Sequence, residues 1–148
     1  MTALQRFIAY ATAFEQTYDD DDWRRIEPFF APDAVYEVQG SALGCRLEGR
    51  AAIVAGLKKS LDGFDRRFAK RALDVVDGPH EQGDTVAIGW TATYAVPGAP
   101  SLVLRGRSTA TVRDGQITRL VDAYPDGMDE EVAGWLARHA PGASPSYV

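Results

Sequence analysis

Val86-Ala87-Ile88-Gly89-Trp90-Thr91-Ala92-Thr93-Tyr94 is the stretch in which the periodicity of this chain changes. Val86, Ile88, Trp90, Ala92 and Tyr94 fall on one face of an extended chain, and Gly89, Thr91 and Thr93 fall on the other. That alternation is the mark of a half-buried β-strand. Pro97-Gly98-Ala99-Pro100 makes a turn, and a second strand is predicted from about Leu102 to Val112. There Leu102, Leu104, Gly106, Ser108, Ala110 and Val112 point one way, and Arg105, Arg107, Thr109, Thr111 and Arg113 the other. Asp114-Gly115 turns the chain into a last strand through Ile117-Thr118-Arg119-Leu120-Val121-Asp122-Ala123-Tyr124.

Upstream of these strands the spacing is helical. Leu4, Phe7, Ile8, Ala11, Phe14 and Tyr18 predict an amphipathic helix over 3–18. The aspartates at 19–22 interrupt it, and one of them is expected to cap a short second helix through Trp23, Ile26, Phe29 and Phe30. Pro32-Asp33 closes that helix, 34–38 reads as a short strand, and 40–49 as a loop. A third helix is predicted over 50–61 with Ile53, Val54, Leu57 and Leu61 inward, and Gly63 just past its end. After the strands, Val132, Trp135, Leu136 and His139 mark a closing helix, followed by a tail, 141–148, expected to fray. The reading is therefore one domain over 1–140 of the α+β class. Three N-terminal helices pack on the concave side of a cone-like, curved, mostly antiparallel sheet, and a helix closes the chain.

Composition limits what such a domain does. Of its 148 residues, 45% are hydrophobic and 25% charged, as in ordinary soluble domains. A net charge of −5 argues against nucleic acid as a partner. No apolar run approaches a membrane span, and Met1 to Phe7 lack the apolar core of a secretion signal, so a cytoplasmic protein is expected. The lone Cys45 forms no internal disulfide and reads as inert. There is no glycine-rich phosphate loop and no spaced metal-ligand set, and no cofactor is expected.

Asp122 stands out as the one acidic residue of the last strand, among Leu120, Val121 and Tyr124. A carboxylate there is costly to bury unless it is paired, protonated or used. Two roles stay open for it: a general acid or base whose pKa is raised by an apolar pocket, or a strand-end carboxylate tied to Arg105 or Arg119.

The run Tyr18-Asp19-Asp20-Asp21-Asp22-Trp23, the segment Phe30-Ala31-Pro32-Asp33-Ala34-Val35-Tyr36, and the pattern Asp114-Gly115-Gln116-Ile117-Thr118 with Asp122 and Tyr124 resemble the nuclear transport factor 2-like superfamily. The last-strand pattern resembles its SnoaL-like polyketide cyclase branch. The resemblance spans roughly residues 5 to 138. It implies a catalytic aspartate at Asp122, as in the cyclases and limonene epoxide hydrolases. The cyclases' histidine one strand earlier falls on Ser108. The hydrolases' arginine and second aspartate fall on Trp90 and Ala92; their tyrosine falls on Tyr36, and the asparagine beside it on Val38. The tyrosine, base and second acid of ketosteroid isomerases fall on Phe14, Val38 and Ser108, so that mechanism is not expected. His80 and His139 lie in a loop and the terminal helix, away from the pocket positions of scytalone dehydratase histidines.

The combined reading is a small cofactor-free enzyme acting on a hydrophobic cyclic or polyketide-like molecule, with Asp122, Tyr36 and Ser108 as its catalytic set. Phe14, Tyr18, Val38, Trp90, Tyr94, Leu104 and Tyr124 are expected to contact the substrate. The alternative is a non-catalytic binding or dimerisation module of the same fold. Arg105 and Arg107 are placed on the outer sheet face, where a homodimer would form, unless a bulge swings them inward. Arg66, Arg67, Lys70 and Arg71 are read as a solvated basic edge.

Overall fold

The computed structural model describes residues 1–40 and 44–148. Its helices are α1 (Ala3–Asp20), α2 (Arg50–Gly63) and α3 (Met128–His139). Its strands are β1 (Phe30–Gln39), β2 (Cys45–Glu48), β3 (Lys70–Gln82), β4 (Thr85–Ala95), β5 (Leu102–Arg113) and β6 (Gln116–Ala123). They form one curved sheet in the order β2-β1-β6-β5-β4-β3, antiparallel throughout except where β1 runs parallel to β6. The α+β architecture stands as expected, and several local expectations need correction.

α1 starts at a capping box: Thr2 Oγ1 accepts from the Gln5 amide at 3.1 Å, and Gln5 Oε1 accepts from the Thr2 amide at 2.9 Å. Its buried face is Phe7, Tyr10, Ala13 and Thr17, a rotation from the predicted stripe that leaves Ile8 half exposed. The second helix is only two short 3₁₀ turns, Trp23–Arg25 and Glu27–Phe29. Asp22 caps the first, as anticipated for one of the four aspartates, through its contact with the Arg24 amide. Phe30 opens β1, and the chain continues through Pro32-Asp33 as strand, with an irregularity in its pairing to β6 between Phe30 and Val35.

Two strands escaped the sequence pattern. β2 lies within the segment expected to be a loop, of which residues 41–43 fall outside the described part. Its Cys45–Glu48 pairs with Val38 to Val35. β3 is a long outer strand whose residues are mostly exposed, so it lacks the alternation that betrays a strand. His80 lies on β3, with Nε2 2.9 Å from Asp77 Oδ1, and not in a loop.

β5 alternates buried and exposed positions along its length, as its sequence predicts. The β4–β5 register runs unbroken from Thr85↔Thr111 to Tyr94↔Leu102, so no bulge turns Arg105 or Arg107 inward. They pair instead with Glu131 and Asp77 at 3.2 and 2.7 Å.

The tail 141–148 is laid down against α2 and does not hang free. The Ser144 amide donates to the Gly63 carbonyl at 2.8 Å, and Ser60 Oγ donates to the Pro145 carbonyl at 3.0 Å. Lys59 Nζ reaches the Val148 carbonyl. A Cβ on Gly63 would sit 2.6 Å from the Ser144 carbonyl oxygen, so a glycine is needed where the tail crosses. The interior divides into two apolar clusters. One, around Phe30, Tyr36 and Ile53, lies under α1 and α2; the other, around Phe64, Tyr94 and Trp135, lies under α3. Between them is a cavity.

Candidate functional site

The cavity has a volume of about 450 Å³ and a predominantly apolar wall, within the usual size of small-molecule sites. β1, β3, β4, β5 and β6 supply one wall, and α1, α2, α3 and the tail supply the other.

Asp122 lies on this wall. Parallel pairing sets Val38 opposite Asp122, and antiparallel pairing sets Ser108 opposite it on the other side. Those registers deliver two hydroxyls. Tyr36 Oη donates to Asp122 Oδ2 at 2.5 Å, and Ser108 Oγ donates to Asp122 Oδ1 at 2.6 Å. Trp90 Nε1 donates to Ser108 Oγ at 2.9 Å. An indole nitrogen can only donate, so the serine oxygen accepts from it and directs its own proton at the carboxylate. Gly106 makes room for that indole: a Cβ there would lie 2.6 Å from the Trp90 ring. The chain Trp90–Ser108–Asp122–Tyr36 is thus a directed row of hydrogen bonds across three neighbouring strands and β1.

Burial pushes the Asp122 carboxyl above its ordinary range, and the hydrogen bonds from Ser108 and Tyr36 oppose that push without overcoming it. Among the described residues no basic side chain pairs with Asp122. Arg105 is engaged by Glu131 and Arg119 by Glu37, which removes the strand-end salt bridge as an account of this residue. The Tyr36 phenol is fully buried and held far above its usual pKa by burial and by the Asp122 charge, so it stays a neutral donor.

Phe14, Val38, Trp90, Tyr94, Leu104 and Tyr124 also line the cavity. Tyr18 does not. Its hydroxyl points at the Asp65 carbonyl at 3.4 Å, and its ring lies under the Arg71 guanidinium at 4.8 Å. Burial raises the Cys45 thiol pKa.

Two features of the cavity went unread in the sequence. Tyr147 enters from the tail, its ring 5.5 Å from that of Tyr36. Its hydroxyl is pushed up to about 12 by burial and by the Asp122 charge. The second feature is a polar group formed by Glu15, Asp65, Arg71 and Tyr94. Arg71 is therefore not part of a solvated edge; its side chain is 7% exposed. Arg71, Leu73 and Val75 all line the cavity and share parity along β3, a signal readable only once β3 is recognised as a strand. Among the described residues, no three His, Cys, Asp or Glu side chains converge to hold a metal ion, and no helix is long and apolar enough to cross a membrane.

Residues 10–120 match the SnoaL-like domain. A Xanthomonas campestris pv. campestris protein with a provisional polyketide cyclase assignment is similar in structure, at 26% identity and TM-score 0.60, over 92% of this chain and 98% of that one. TerC, crystallised with polyporic acid, is similar at 23% identity and TM-score 0.61, over 82% and 90% of the two chains. An NTF2-like protein of unknown function from Burkholderia pseudomallei has TM-score 0.69 at 16% identity, over 91% and 97%. Among curated proteins none matches the chain.

Proposed function

Since the chain belongs to the SnoaL-like domain family, whose fold serves small-molecule enzymes and binders, we propose that it is a cofactor-independent enzyme using Asp122 as general acid and base. Its substrate would be a hydrophobic, cyclic or polyketide-like carbonyl compound. The observation that carries this reading is a carboxylate on an apolar cavity wall, held by two hydroxyls and, among the described residues, by no cation. Burial raises its proton affinity, which makes the carboxylate a stronger base than an exposed aspartate.

The chemistry follows from the donors. A C–H bond next to the substrate carbonyl breaks, its proton passes to Asp122, and its electron pair moves onto the carbonyl oxygen. Before transfer, Tyr36 and Ser108 both donate to the carboxylate. Afterwards the neutral acid accepts more weakly, which frees a hydroxyl to turn toward the new oxyanion. Ser108 is held by Trp90, so Tyr36 is the donor better able to turn. Return of the proton to a second carbon completes an isomerisation; attack of the enolate carbon on a second carbonyl, whose oxygen then takes the proton from Asp122, completes a cyclisation.

The test uses β-tetralone, a bicyclic ketone, in deuterium oxide. Proton NMR should show enzyme-catalysed exchange at the carbon next to the carbonyl. Asp122→Asn should slow it by about 10²–10⁴-fold, the usual worth of a positioned base. Exchange unchanged in Asp122→Asn would leave the binding-module alternative. A homodimer through the outer sheet face belongs to the same proposal, supported by Val103, 37% exposed amid the ion-paired arginines of that face.

A further inference from the structure

Every polar group used so far sits at the Asp122 end of the cavity, yet a second polar group lines the same space. Asp65 Oδ2 accepts from Arg71 Nε at 2.7 Å and from the Tyr94 hydroxyl at 3.1 Å. Arg71 Nη1 donates to both oxygens of Glu15, at 3.1 and 2.8 Å. The Asp65 side chain is 13% exposed, whereas Glu15 is 45% exposed and faces solvent as well as the cavity. A buried ion pair in the wall of an apolar cavity is a costly structural device. Apolar neighbours such as Phe64 and Phe68 pack the Tyr94 ring without it.

The unused valences of the cluster describe what it can hold. Arg71 Nη2 has no hydrogen-bond partner among the described residues, and no buried side-chain nitrogen or oxygen there is left unpaired, so Nη2 is accessible. Asp65 accepts from Arg71, from Tyr94 and from its own backbone, against roughly four acceptor sites on a carboxylate. One donor and one acceptor therefore remain within the same ion pair. A hydroxyl, which donates and accepts, uses both. A carboxylate does not: two acids already flank the single guanidinium.

Register places this cluster away from Asp122. Ser108, the partner of Asp122, lies opposite Ile88 on β4, whereas Tyr94 lies opposite Leu102. Six residues of strand, roughly 20 Å of backbone, separate the two levels. Both ends line the same cavity, and Tyr147, whose ring lies 5.5 Å from that of Tyr36, lines it with them.

Building on the Asp122 reading, we infer that Asp65, Arg71 and Tyr94 form a second subsite, which takes a hydroxyl at the far end of an uncharged aromatic ligand whose reacting end lies at Asp122. The cavity thereby selects elongated, neutral molecules with oxygens at both ends and discriminates against carboxylates at the far end.

Calorimetric titration of the wild-type chain with three naphthalene probes tests this. A naphthalenediol with hydroxyls at opposite ends should bind about tenfold more tightly than β-naphthol, since its second hydroxyl meets charged partners. The hydroxynaphthoate of the same geometry should bind more weakly than the diol. Asp65→Ala and the conservative Arg71→Lys should each bring the diol down to the affinity of β-naphthol, while β-naphthol itself binds as before at Asp122. Equal wild-type affinities for diol and β-naphthol, tighter binding of the naphthoate, or a diol preference that survives in folded Asp65→Ala and Arg71→Lys would each overturn the second subsite. The proton-transfer reading fails separately, through unchanged exchange in Asp122→Asn, and these affinities do not depend on it.

Discussion

Asp122 is pulled two ways: two hydroxyls favour its charge and the apolar wall opposes it, with the wall prevailing. A carboxyl whose pKa is raised on folding takes up protons between its ordinary value and the raised one. Stability from this residue is therefore present at low pH and lost as pH rises through that window. Asp122→Asn removes the burden. The melting temperature of the variant should exceed that of the wild type by a margin that is small in acid, grows with pH, and levels off above the raised pKa. Differential scanning fluorimetry from mildly acid to mildly alkaline buffer reads it, and a margin that shrinks with pH would contradict the sign. Trp90 acts on the same group through Ser108. Trp90→Phe keeps an aromatic ring at the site but removes the N–H that orients the serine. The Ser108 bond then lowers the Asp122 pKa less, so the pH at which tetralone exchange sets in should move upward. At this scale the sequence was informative where one residue broke a pattern, as Asp122 does. It was silent on Asp65 and misplaced Arg71 on a solvated edge, because an ion pair between the 3₁₀ turn Asp65–Arg67 and an edge strand leaves no periodic trace.

Elements were legible in proportion to how one-sided they are. β5 alternates fully, and its apolar register was readable residue by residue. β3 carries exposed residues along nearly all its length, and β2 is four residues long, so neither shows a buried face against which alternation could be seen. The tail was misread for a related reason: Gly, Ser and Pro are the composition of a loose end, and only Tyr147 hints at an anchor. That anchor yields a prediction. Tyr147 packs beside Tyr36 and its tail bonds to Ser60 and Gly63. Gly56 leaves space for it, since a Cβ there would come within 3.0 Å of the Tyr147 carbonyl oxygen. Tyr147→Ala should cost about 1–3 kcal/mol in urea unfolding, below a full core truncation because the ring borders a cavity. It should also enlarge the cavity and weaken the preference for flat ligands such as β-naphthol over bulkier ones. An unchanged urea midpoint would place the ring outside the packed wall.

For the whole molecule, the curved sheet divides its chemistry between two faces. The concave face holds the cavity, and the helices close over it. The convex face is left with Arg105 and Arg107, ion-paired with Glu131 of α3 and Asp77 of β3, each pair half exposed and each worth little on its own. Val103 lies among them and alternates with the inward Leu102 and Leu104. Exposed pairs of this kind can exchange partners at small cost, so a second copy could trade intramolecular bridges for intermolecular ones while covering the valine. Light scattering should then report twice the chain mass. Val103→Glu would place an acid against that cover and should shift the distribution to single chains, while naphthol affinity holds because Leu102 and Leu104 still face inward. A wild-type chain that runs as a monomer at high micromolar concentration would assign the convex face to solvent. Loss of ligand binding together with the dimer would mean that the two faces are coupled through β5, the strand that carries Ser108 inward and Val103 outward.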